Sequence, residues 1–94
     1  MPPKTYVKPC GYEQITVSST AVGLTVPKGA SRAIVTVEAQ PLRYRDDGTD
    51  PSSTVGVLCQ ANLRFELESR YSMLAFKAIR QGGTDAVLSV SYYK

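Results

Sequence analysis

The chain has 94 residues, 11 Lys and Arg against 8 Asp and Glu, and neither His nor Trp. The lack of His excludes Ser-His and Cys-His catalysis, histidine zinc sites and histidine pH switching. The length fits one domain with a modest core, and the net charge of +3 is spread along the chain, unlike the concentrated basic face of a nucleic-acid binder.

Residues 1–11 hold Pro2, Pro3, Pro9 and Gly11. Proline fixes φ and removes a donor, so an extended arm over 1–11 is predicted before a single domain over 12–94. The first residues lack the apolar stretch of a signal peptide, and no apolar run approaches the ~20 residues of a membrane span. Synthesis and folding in a cytoplasm are therefore expected, with Cys10 and Cys59 as separate thiols by default and a disulfide within the chain or between subunits as the alternative.

From Glu13 the pattern turns to period two. Ile15 and Val17 alternate with polar residues, as do Val22, Leu24 and Val26. The Pro27-Lys28-Gly29-Ala30 run reads as a turn. Arg32 to Gln40 is the longest strand candidate, with Ala33, Val35, Val37 and Ala39 on one face. Pro41 interrupts it, and Leu42-Arg43-Tyr44-Arg45 restarts extended chain. Asp46-Asp47-Gly48-Thr49-Asp50-Pro51 is the strongest turn signal. Val55, Val57 and Cys59 suggest a short strand, and Leu63, Phe65 and Leu67 alternate with Arg64, Glu66 and Glu68.

Tyr71 to Arg80 is apolar enough for a helix or a strand. The surrounding strands favour a strand, with Gln81-Gly82-Gly83-Thr84 as a hairpin turn. The last strand runs from Asp85 to Tyr93, with Ala86, Leu88, Val90 and Tyr92 on one face. These elements predict an all-β fold: a compact antiparallel β-sandwich or jelly-roll-like barrel of about seven or eight strands.

Three constellations invite chemistry. Asp46, Asp47 and Asp50 offer oxygen ligands but lack the spacing of an EF-hand loop, and a hydrogen-bonded turn is the simpler reading. Arg43 and Arg45 share one side of a strand, where each would clamp a carboxylate. With Gly48 they define a structural corner. Glu66 and Glu68 form a carboxylate pair, which a solvated strand face explains better than glycoside hydrolysis. No nucleophile with a base is in view and no cofactor is implied, so a non-enzyme is expected. Tyrosine suits interfaces, making Tyr6, Tyr12, Tyr92 and Tyr93, with Cys10, the candidate interface residues.

The segment Glu38-Ala39-Gln40-Pro41-Leu42-Arg43-Tyr44-Arg45-Asp46-Asp47-Gly48-Thr49-Asp50-Pro51-Ser52, with Gly56 a few residues on, resembles small virion structural proteins of tailed bacteriophages. Their pattern is R-[WY]-R-D-D-G-T-x-P-[TS]. Phe76 to Arg80 and the final strand, Ala86 to Tyr93, are similar to the family's last two strands. The resemblance implies a bacteriophage virion structural protein assembled in the bacterial host cytoplasm. Its expected role is a capsid decoration (cement) protein that is homo-oligomeric and contacts the major capsid protein or other virion proteins. Neither specific nucleic acid nor membrane is expected as a partner. A neck, tail or fibre-base adaptor and a carbohydrate-binding β-sandwich module are the alternatives.

Overall fold

The computed structural model describes residues 8–94. Among them are strands β1 (Pro9–Val17), β2 (Val22–Gly23), β3 (Arg32–Glu38), β4 (Leu42–Arg45), β5 (Val57–Cys59) and β6 (Arg64–Leu67). The helix α1 (Arg70–Ala75) follows, then β7 (Lys77–Arg80) and β8 (Ala86–Tyr93). Two antiparallel four-stranded sheets have the orders β1-β8-β3-β6 and β2-β7-β4-β5. Every connection crosses between the sheets except β4 to β5. This is the strand order of a jelly roll, a double-sheet β-sandwich.

Alternation decides which side chains enter the core. Ala33, Val35 and Val37 of β3 and Ala86, Leu88, Val90 and Tyr92 of β8 are all buried. Register pairs Val35 with both Val90 and Phe65, so the central strands bring their apolar faces into one layer. Leu42, Cys59 and Ala78 supply the facing layer from the second sheet. Tyr44 stacks on Phe65 at 4.9 Å and on Phe76 at 5.1 Å between ring centroids. Phe76 is fully buried, and truncating such a ring to Ala costs ~3–5 kcal/mol.

Three expectations about the elements need correction. Pro9, Cys10 and Gly11 belong to β1 rather than to an arm, with Pro9 facing Tyr93 and Gly11 facing Tyr92 across a bulge. Residues 1–7 lie outside the described residues. The apolar run after Ser69 begins as helix, because the Ser69 hydroxyl caps it by accepting from the Ser72 N–H at 3.0 Å. Met73 and Phe76, three residues apart, then both enter the core, a spacing that strand alternation does not provide. Only Lys77–Arg80 of that stretch is strand. Finally, 81–84 makes no hairpin, because β7 and β8 belong to different sheets.

The strand from Arg32 also ends before Ala39, which takes a φ of +73°. The Gln40 N–H closes a three-residue turn onto the Glu38 carbonyl at 2.9 Å. Of the Val22, Leu24 and Val26 run only Val22–Gly23 is strand, and Leu24 and Val26 pack half-buried on the core. The Pro27 turn is present. Ala30 N–H donates to the Pro27 carbonyl, and Gly29 supplies the positive φ of +83°. Arg70 fastens it by donating to the carbonyls of Pro27 and Ala30 at 3.2 and 2.9 Å.

Candidate functional site

The Arg-Asp corner is built on β4. Leu42 and Tyr44 point between the sheets, so Arg43 and Arg45 point out of the second sheet. Arg45 grips Asp47 with two bonds, Nη2 to Oδ2 at 2.5 Å and Nε to Oδ1 at 3.1 Å. Asp47 Oδ1 also accepts from the Thr49 N–H at 3.2 Å, closing a side-chain turn in which Gly48 takes a φ of +87°. The guanidinium, helped by that N–H, holds the Asp47 carboxyl below its ordinary value of 3.8.

Arg43 does something else. Its Nε donates to the Ser53 carbonyl at 3.1 Å and its Nη1 to the Gly56 carbonyl at 2.9 Å. Of the two arginines expected to clamp acids, one clamps backbone. Asp46 and Asp50 do not join the corner's ion pair, and no group of three or more Cys, Asp or Glu side chains gathers as a metal site among the described residues. Ser52 Oγ accepts from the N–H groups of Thr54 and Val55, and Pro51 is buried. The loop 46–56 therefore folds back over the outer face of the second sheet, held by Arg43. Pro51, Ser52 and Ser53 share with outward-facing Ile79 an open cavity of about 380 Å³. Its one cation, Arg80, is already paired with Asp85 at 2.6 Å. The motif residues are thus consumed in positioning a loop.

The candidate interface residues scatter. Tyr6 lies outside the described residues. Tyr92 is 1 % exposed and leaves the list, because β8 alternation turns it into the core, where its hydroxyl donates to Glu13. Burial and that carboxylate push its phenol far above the ordinary value of 10. Glu13 also accepts from the Thr25 N–H at 2.8 Å. Tyr12 stands out from β1, 62 % exposed, and Tyr93 is half-buried on the same outer face. Cys10 is half-buried against the core and Cys59 is buried; both are free thiols. Cys10 sits on β1, an edge of the first sheet, and Cys59 on β5, an edge of the second. Glu66 is tied to Arg32 at 2.7 Å and is not held against Glu68 as an acid-base pair.

Sequence reasoning missed a contrast between faces. The second sheet is covered by the chain's own loop, while no segment among the described residues covers the outer face of the first sheet. Near its middle the central strands place Thr36, Ser89 and Ser91 beside Ile34, between Tyr12 and Arg64 on the edge strands, an arrangement visible only once the strand order is known. Apolar side chains are also exposed at the opposite edge: Val57 and Leu58 on β5, with Val55 and Leu63 flanking it.

Compared with known proteins, the chain matches no family model, no curated protein sequence and no solved structure.

Proposed function

We propose that the chain is a non-enzymatic structural protein of a bacteriophage particle, a capsid decoration protein that binds the outer head shell and stabilises it. The observation that carries this reading is the exposed apolar margin at β5. Val57 and Leu58 on this edge strand, and Val55 and Leu63 flanking it, are each 39–54 % exposed, and the strand's outer backbone groups face no strand among the described residues. Natural sheets blunt such edges with charges or proline, or cover them with a neighbour. β5 carries neither charge nor proline, so a neighbour is the consistent solution.

The resemblance of the Arg43 to Ser52 segment to small virion proteins supplies the particle. Physical economy agrees with it. A domain of this size has a slender core and gains from assembly, and symmetric shells repeat one weak contact many times. The test is co-sedimentation of the purified chain with heads that lack it. Wild type is expected to pellet with the heads, and the Val57→Asp/Leu58→Asp double variant to stay in solution. Equal pelleting of a folded double variant would remove the β5 margin from the account.

A further inference from the structure

Among the described residues, the outer face of the first sheet forms a trough of about 240 Å³. Its shape follows from register. Across the sheet, Gln14, Ser89, Thr36 and Arg64 make one row, and Tyr12 lies opposite Ser91, which lies opposite Ile34. The two central strands thus lay Ser89, Ser91, Thr36 and Ile34 along the floor. Tyr12 on β1 and Arg64 on β6 rise as the two rims, and Tyr93 closes one end.

The polar groups are arranged for more than solvation. Ser89 Oγ donates to Glu38 and accepts from the Tyr12 hydroxyl at 3.4 Å, a long contact that a ligand can replace. Arg64 has no ion pair among the described residues, so its guanidinium donors stand open over the row of hydroxyls. The charged residues of this face are Arg32 and Arg64 against Glu38 and Glu66, which balance. A neutral face disfavours nucleic acid and acidic peptides. An exposed aromatic ring and a rim donor, beside a floor of three hydroxyls and the apolar Ile34, suit a neutral, hydroxyl-rich ring ligand with an apolar face.

We propose that this trough is a saccharide-binding site, in which a neutral sugar ring packs on Tyr12 and hydrogen-bonds to Ser89, Ser91 and Arg64. The site is separate from the β5 margin, so it stands or falls independently of the virion reading. The test is a two-dimensional NMR titration of the full chain with maltotriose, cellotriose and chitotriose, alongside a glycan array. A tri-glutamate peptide serves as the acidic control. At least one sugar is expected to shift the amides of Tyr12, Thr36, Ser89 and Ser91 saturably. Tyr12→Ala and Arg64→Ala should each weaken that binding at least about tenfold, the size of losing one ~1.4 kcal/mol contact, and Tyr12→Phe should largely retain it. Absence of array hits together with no saturable shift would overturn the proposal. So would shifts mapping away from the trough, equal shifts with tri-glutamate, or full binding by a folded Tyr12→Ala.

Discussion

Tyr92 and Glu13 are bound to each other inside the sandwich: the phenol donates to a carboxylate that alternation on β1 turns inward. Glu13 is the one acid directed at this seam, and it is satisfied from two sides, by Tyr92 and by the Thr25 N–H. It thereby ties β8 and the segment after β2 to the edge strand. Tyr92→Phe removes one donor and leaves the carboxylate underpaired, so a loss of about 1–3 kcal/mol is expected. Thermal unfolding checks it. Because the phenol's folded value is raised, its contribution is complete below the unfolded value near 10 and declines as pH rises beyond it. Tyrosinate absorbance should show the Tyr92 ring resisting ionisation until the protein unfolds, with the half-buried Tyr44 also raised above 10.

Gly56 accounts for a glycine that sequence pattern alone leaves unexplained. Its φ is +138°, and a Cβ there would meet the Tyr44 carbonyl oxygen at 3.0 Å and the Cβ atoms of Pro51 and Arg43 at 3.1 and 3.2 Å. Gly56→Ala is expected to destabilise by ~1–3 kcal/mol through the backbone conformation alone. The crowding adds to this, because two of its neighbours are fixed by β4. Chemical denaturation measures the effect. Gly48→Ala, with a positive φ but nothing within 4 Å, should cost less.

The Arg45–Asp47 pair predicts an acid response of known sign. Asp47's carboxyl is held below 3.8 by the guanidinium. The stability it contributes is therefore present above that value and is lost as pH falls through the lowered one. Carboxyl NMR should give Asp47 a midpoint below 3.8, and Arg45→Ala should return it toward that value. An unshifted Asp47 in wild type would mean that the pair is not held in solution. Its exposure keeps the effect on global stability small.

Ala39 holds a φ of +73° without being glycine. Such a conformation costs a non-glycine residue roughly 1–2 kcal/mol, while glycine returns about 0.5–1 kcal/mol as unfolded-state entropy. Ala39→Gly is thus expected to raise the melting midpoint by a few degrees. Asn62 has the same φ, but asparagine tolerates it, so Asn62→Gly should change little.

The legible parts of this fold were those where periodicity was unbroken. β3 and β8 declare their buried faces outright, and their burial follows the alternation residue by residue. The helix at Arg70 was obscured by an apolar run that satisfies either period, although Ser69 was a usable cap signal. The 81–84 segment has hairpin chemistry but joins two sheets, because turn residues specify a reversal and not the sheet that receives the next strand. The corner was half legible: shared sidedness of Arg43 and Arg45 follows from strand geometry, but the grip of Arg43 on two carbonyls depends on where the loop returns. The trough was not legible at all, since Tyr12 and Arg64 become opposing rims only through the order β1-β8-β3-β6.

The proposed virion reading requires the chain to be encoded by a phage, and quantitative mass spectrometry of that phage's purified particles tests it most directly. The account predicts the chain in the particle at a stoichiometry comparable to the major capsid protein. Its absence from purified particles, or a copy number matching a single neck or tail ring, would contradict the decoration role.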